Sequence, residues 1–231
     1  MYTEDDWNEC WATGHTPWRG EQADAALMRL YRANQSAILP TESHSPEAPP
    51  LRRALVPLCG DSPAVRFLYD AGFSVTGVEF VTEALHALIL AQFRDLISDG
   101  GTAAFSLPFI TDRLELLNRD IFSLPATPSF DLVYDRAALI ALPREMRARY
   151  ASLITDLIHP GGHLLLEATT MTGRGEKGPP FSVERDELDD LYRQFSLIIR
   201  EETDPVAPPP NLAERGVSAV VHRRFLFRRS G

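Results

Sequence analysis

The run Leu55-Val56-Pro57-Leu58-Cys59-Gly60-Asp61, followed by Val75-Thr76-Gly77-Val78-Glu79, constrains the fold more than any other part of the chain. An apolar stretch that stops at a glycine reads as a buried strand of a parallel sheet. Ser62-Pro63 then starts a helix: serine caps its first N–H groups, and proline is at home in the first helical position. Gly72 closes that helix, and a second apolar run ends in an acid. In such a strand–helix–strand unit the glycine turn lets a ligand approach the backbone, and the acid accepts both hydroxyls of a ribose. Glu79 stands 19 positions after Gly60, close to the roughly 20 expected of a ribose-binding acid. Phosphate recognition here normally uses G-x-G-x-x-G, and only one of those glycines is present. The turn therefore points away from a dinucleotide and toward a nucleoside without phosphates, of which S-adenosylmethionine is the commonest. A nicotinamide dehydrogenase is the rival reading, because Glu79 suits that ribose too; the missing glycines argue against it.

The remaining pattern extends this unit into an α/β sheet. Helices are expected at 3–12 and 23–34, and a Pro/Ser/Glu-rich linker at 40–50. Strands are expected at 53–58, 73–79, 114–118, 130–134 and 163–168, with helices at 62–71, 82–98, 144–158 and 183–193. Gly100-Gly101 should end the helix at 82–98, and His159-Pro160-Gly161-Gly162 reads as a turn. Two late strands, 195–202 and 217–227, flank a proline-rich loop. Strand–helix alternation followed by two late strands gives a mostly parallel sheet with an antiparallel edge. The expected organisation is one domain over 1–231, with a helical cap and linker over 1–50 and a core sheet over 51–231.

The chain has 231 residues, 44% of them hydrophobic, and a net charge of −9. That sign repels phosphate backbones and argues against nucleic acid as a partner. The one dense basic patch, Arg223, Arg224, Arg228 and Arg229, reads as a solvated strand end. No apolar run approaches the roughly 18 residues of a membrane span, so no membrane partner is expected. Met1-Tyr2-Thr3-Glu4-Asp5-Asp6 lacks the basic start and apolar middle of a secretory signal. A cytoplasmic monomer is the expectation. Cys10 and Cys59 have neither disulfide-framework nor metal-site spacing, and no metal is expected.

Ligands of open α/β sheets bind outside the carboxyl ends of the strands. Those ends carry Leu58-Cys59-Gly60, Glu79, Asp120-Ile121 and Asp135-Arg136. Asp120 suits the amino group of an adenine and the Ile121 N–H a ring nitrogen; the structural alternative for Asp120 is a cap or turn. Arg136 suits the methionine carboxylate or an anionic acceptor, with a sheet-edge salt bridge as the alternative. Trp7 and Trp11 share one helix face. Together with Trp18 they form either core or a lid over a sulfonium, which aromatic faces attract as they do an ammonium. Gly178-Pro179-Pro180-Phe181 suits an acceptor-side wall, or else a rigid surface loop.

Five segments together resemble the thiopurine S-methyltransferase family. They are Trp7-x-x-x-Trp11-x-x-Gly14-x-Thr16-x-Trp18, Val56-Pro57-Leu58-Cys59-Gly60, Val75-Thr76-Gly77-Val78-Glu79, Asp131-Leu132-Val133-Tyr134-Asp135-Arg136-Ala137-Ala138-Leu139 and Gly178-Pro179-Pro180-Phe181-Ser182-Val183. The resemblance implies a Rossmann-like, seven-stranded methyltransferase fold that binds S-adenosylmethionine and releases S-adenosylhomocysteine. It implies cofactor contacts at Trp7, Trp11, Leu58, Glu79, Ile121 and Arg136, alongside Gly60 and Asp120 from the strand-end reading. It puts Trp18 where the family has a phenylalanine near the acceptor, and Arg19 where a histidine follows. An arginine before the last strand faces the acceptor in the family, and Arg215 stands nearest to it; with Pro180 and Arg136 these form the acceptor side. The implied reaction is methyl transfer to the sulfur of an aromatic or heterocyclic thiol, with selenium and tellurium compounds as further acceptors. A halide or thiocyanate methyltransferase and a non-catalytic S-adenosylmethionine-binding protein are the alternatives. A thiolate is often partly formed at neutral pH, so the reading names no catalytic base.

Overall fold

Strand β1 (Arg53–Pro57) is apolar after its first residue and buried along that length, so both of its faces must be covered. The computed structural model describes residues 4–19, 24–38, 52–97, 106–173 and 178–231. The chain falls into two compact units.

In the first unit, helices α1 (Glu4–Thr13), α2 (Ala25–Ala33) and α3 (Gln35–Ile38) precede β1. Helix α4 (Pro63–Asp70), β2 (Ser74–Glu79) and α5 (Thr82–Gln92) come next, then β3 (Phe109–Ile110), β4 (Leu114–Asn118) and β5 (Phe130–Asp135). Within this unit the strands run in the order β3-β4-β2-β1-β5. The pairs β1–β2, β1–β5 and β2–β4 are parallel. The short β3, absent from the sequence reading, pairs antiparallel with β4 across a turn in which the Thr111 N–H donates to the Leu114 carbonyl and the Leu114 N–H to the Thr111 hydroxyl.

The expected start and stop of α4 are both present. The Ser62 side chain accepts the Ala64 N–H, and Pro63 is the first helical residue. At the other end Gly72 N–H donates to the Tyr69 carbonyl and Phe73 N–H to that of Leu68, the paired bonds of a Schellman stop. Helix α5 ends at Gln92 rather than 98, followed by a single 3₁₀ turn over Arg94–Leu96. The expected linker at 40–50 and the Gly100-Gly101 stop lie outside the described residues.

The second unit begins its main run at Asp135, the last residue of β5, and continues to the end of the chain. It contains α6 (Ala138–Ala141), α7 (Arg144–Leu157), β6 (Ile158–Gly173), α8 (Arg185–Leu191), β7 (Phe195–Glu202), α9 (Pro210–Ala213) and β8 (Val217–Arg229). Here β8 lies between β6 and β7 and is antiparallel to both. His159-Pro160-Gly161-Gly162 is not a turn: it lies within β6, with Gly161 at φ +81. The basic patch is not merely solvated. Arg224 donates to Glu167 at 2.5 Å, Arg223 to the Thr170 hydroxyl, and Arg229 to the Ile158 carbonyl. Parallel and antiparallel pairing thus divide as expected, with eight strands among the described residues rather than seven. No helix among the described residues is long and apolar enough to cross a membrane.

Candidate functional site

In the first unit the candidate residues gather where β1 and β2 end. Leu58, just past β1, takes a positive φ of 45 and Gly60 one of 50. A leucine in the left-handed region is uncommon, and such conformations concentrate where function constrains the backbone. The turn is pinned by Cys59 N–H donating to Val78 O and Ser62 N–H to Cys59 O.

Glu79 closes β2 and is buried. Its carboxylate bridges two backbone segments: Oε2 accepts the Gly60 N–H at 3.1 Å and Oε1 the Val81 N–H at 2.9 Å. Burial pushes its carboxyl above the ordinary carboxylate range, and the N–H groups of Val81, Gly60 and Phe80 pull it back. Each oxygen keeps a lone pair for a further donor. A side chain on Gly60 would put its Cβ 3.1 Å from the Trp11 ring, so the indole lies directly on the glycine turn. At Gly77 a Cβ would lie 2.9 Å from Leu116 and 3.1 Å from the Cys59 sulfur. Close packing there keeps Cys59 buried. Burial, followed by the charge of Glu79, raises its thiol pKa well above the ordinary value.

The tryptophans form one cluster. Trp18 meets Trp7 edge-on at 5.2 Å and Trp11 at 6.3 Å. The Arg19 guanidinium lies over the Trp11 ring at 5.4 Å and pairs with Asp61. Sequence reasoning singled out Arg19 only as a departure from a pattern; it missed Asp61, whose sole signal was adjacency to Gly60. Asp120 is exposed, and its Oδ1 accepts the Phe122 N–H at 3.0 Å, capping a 3₁₀ turn. Ile121 beside it is buried. The first unit therefore brings Trp7, Trp11, Trp18, Leu58, Gly60 and Glu79 to one glycine turn. Asp120 holds its own turn after β4.

In the second unit Arg136 follows Asp135 directly and is half-buried. Asp135 is fully buried. It accepts the Tyr150 hydroxyl at 2.8 Å and the N–H groups of Ala138 and Leu139 at 2.9 and 3.3 Å. Burial raises its pKa from 3.8 to about 6, against the pull of those bonds. The pleat thus turns Asp135 inward, where it fixes the start of α6 behind Arg136. An acid three residues before a short apolar helix was the available signal for this role. Arg215 and Pro180, separate candidates in the sequence, are brought together. Arg215 donates to the carbonyls of Pro179 and Pro180 at 3.0 and 3.2 Å. The same loop is anchored by Phe181 N–H to Ile140 O at 2.7 Å and by Arg147 to Ser182 O at 3.1 Å.

Comparison with known proteins gives these arrangements a context. The model of the thiopurine S-methyltransferase family matches residues 2–230. A thiopurine S-methyltransferase of Legionella pneumophila is 31% identical over 218 residues, covering 93% of this chain and 92% of that protein. One from Vibrio cholerae serotype O1 is 35% identical over 186 residues, 80% of this chain and 79% of the relative. Among solved structures, the Burkholderia thailandensis 1,6-didemethyltoxoflavin-N1-methyltransferase, with bound 1,6-didemethyltoxoflavin and S-adenosylhomocysteine, superposes with a TM-score of 0.61. It has 16% identity, over 98% of this chain and 87% of that one. At that identity the likeness is one of fold.

Proposed function

Because the chain belongs to the thiopurine S-methyltransferase family, we propose that it methylates the sulfur of an aromatic or heterocyclic thiol, thiopurine-like in shape. It is an S-adenosylmethionine-dependent methyltransferase. The observation that carries the finer reading is the match over 2–230, supported by the glycine turn that joins Glu79 to the tryptophan cluster.

The turn suits the cofactor on its own chemistry. A carboxylate already oriented by two N–H groups can accept both hydroxyls of a ribose without reorganising. An indole laid on the glycine offers a π face to a cation. Arg19, a cation at this cluster, is engaged by Asp61 and Trp11, which disfavours its use by a phosphate-bearing ligand. Glu79 and Gly60 are proposed to hold the ribose, Trp7, Trp11 and Leu58 to enclose the sulfonium end, and Ile121 with Asp120 to meet the adenine. Arg136, Arg215, Pro180 and Trp18 are proposed for the acceptor side, Arg136 also for the methionine carboxylate of the cofactor. When bound, the cofactor supplies a methyl group activated by its positive sulfur. The protein aligns the acceptor with it, and such positioning is worth on the order of 7–11 kcal/mol. The tether from Arg215 to the Pro179–Pro180 carbonyls holds a guanidinium beside the proposed wall, where it favours an anionic acceptor sulfur.

Selenium and tellurium acceptors, and action as a cytoplasmic monomer, belong to the same proposal. The halide alternative gains nothing from Arg19, whose charge is directed at Asp61. The test is product formation from labelled S-adenosylmethionine against aryl thiols, thiopurines, selenite, tellurite and iodide. Turnover of thiols is expected; turnover of iodide alone would replace this reading with the halide one.

A further inference from the structure

His222 lies in β8, and its sequence setting gave no signal. In the ladder with β6 it stands opposite Thr169, and Arg224 opposite Glu167. Residues directly opposite in an antiparallel pair share a face, as do residues two apart. Thr169, Glu167, His222 and Arg224 therefore form one polar patch on that face. Met171 and Val220, the next opposed pair, continue the face as an apolar cluster with Leu212 of α9. Arg215, proposed above for the acceptor side, follows α9. The apolar cluster is packed core, so it is the half-buried polar end of this face, at His222 and Arg224, that a thiol sulfur can meet.

The imidazole is half-buried. Its Nδ1 is buried with no hydrogen-bond partner among the described residues, which leaves Nε2 as the nitrogen able to meet a ligand. Three charged groups act on the ring: Glu167 from β6, Arg224 on β8, and Arg136 after β5. Burial foremost, then Arg224 and Arg136, holds its pKa below the ordinary histidine value, while Glu167 opposes them. The ring is consequently neutral at physiological pH, with a carboxylate nearby to stabilise it once charged.

We propose that His222 is the proton acceptor for the acceptor thiol, positioned by the Glu167–Arg224 pair and Thr169. This rests on the thiol reading above. In the step, the S–H proton passes to Nε2 and the sulfur lone pair forms the new bond to the methyl carbon. The electron pair of the broken carbon–sulfur bond stays on the departing sulfur, which becomes a neutral thioether. The imidazolium then returns its proton to water. One methyl group moves, one proton is released, and no redox partner is needed.

The test pairs two acceptors with two variants. A thiol still protonated at the assay pH needs the base, whereas an electron-poor aryl thiol already ionised at that pH does not. His222→Gln and His222→Asn should lower kcat/KM for the protonated thiol by about 100-fold or more, the usual scale of general-base catalysis. For the ionised thiol the loss should stay within about threefold, since that acceptor gives general-base catalysis no proton to remove. S-adenosylmethionine affinity by calorimetry should be unchanged. In the wild type, the His222 ring signals in an NMR titration should shift when either thiol is added to the S-adenosylhomocysteine complex. Equal losses for both thiols, or no loss for the protonated one, would overturn the role of His222 while leaving thiol methylation intact. Failure of the wild type to methylate any thiol would overturn the reading it rests on, and the proposal with it.

Discussion

The Arg19 guanidinium reaches from the tryptophan-bearing segment to the Asp61 carboxylate, one residue beyond the glycine turn, and lies over the Trp11 ring on the way. The side chains are 46% and 18% exposed, so the pair lies in the range of surface ion pairs, about 0–1 kcal/mol. Arg19→Ala should therefore weaken S-adenosylmethionine binding by no more than about fivefold. The difference should shrink as salt rises from low ionic strength to about 0.5 M, because exposed charges are screened. Titration calorimetry at the two salt levels checks this, and a deficit that does not respond to salt would assign the effect to ring packing.

Glu79→Ala removes both acceptor oxygens from the end of β2 and frees the Gly60 and Val81 N–H groups. Hydrogen bonds to a charged group contribute about 1.5–3 kcal/mol, so affinity for S-adenosylmethionine should drop by roughly 10- to 100-fold. Calorimetry that returned wild-type affinity would remove Glu79 from the binding site.

Gly60→Ala meets two separate obstacles. Its φ of 50 is unfavourable for an L residue, and the added Cβ would sit 3.1 Å from Trp11. The backbone effect alone is on the order of 1–2 kcal/mol. In a Trp11→Leu background the loss of melting stability should be smaller but still present. Equal losses in both backgrounds would mean that the ring exerts no pressure on the glycine.

Asp135 makes stability depend on pH in an unusual direction for an acid. With its pKa raised from 3.8 to about 6, the folded state holds the proton more tightly than the unfolded chain. Its contribution is greatest below the unfolded value and declines as pH rises toward the folded one. The change amounts to on the order of 3 kcal/mol. Urea melts of wild type and Asp135→Asn should accordingly favour the variant progressively from about pH 4 to about pH 7. A flat difference would mean that the carboxylate titrates normally.

Arg147 is buried, donating to the carbonyls of Leu142 and Ser182 and to both oxygens of Glu187. Removing one partner of a buried pair typically destabilises by about 3–5 kcal/mol. Arg147→Met should show a loss of that size in urea, and Arg147→Met combined with Glu187→Leu should recover part of it.

What was legible in the chain was mainly local. Ser62-Pro63 and Gly72 set the ends of α4 because the groups they serve lie within a few residues. The spacing of Gly60 and Glu79 was readable for a similar reason: one crossover separates them. The two-residue β3 was not legible, since it is a strand only by virtue of β4. Pro160-Gly161-Gly162 reads as a turn by composition, yet β6 runs through it, and the Arg228 and Arg229 side chains at the far end of the chain donate to the Gly161 and Ile158 carbonyls. The arginines at the chain's end looked solvated because their partners, Glu167, Thr170 and Ile158, are 53 to 71 positions away. His222 was invisible for the same reason, as its neighbours are assigned only by the register of β6 against β8.

The packing of Cys59 beneath Gly77 has a consequence for a protein whose business is an electrophilic carbon. A sulfur lies in the glycine turn, packed against Gly77, and burial, followed by the carboxylate of Glu79, discourages its ionisation. Only a thiolate competes for alkyl groups. The catalyst is thereby kept from becoming its own substrate.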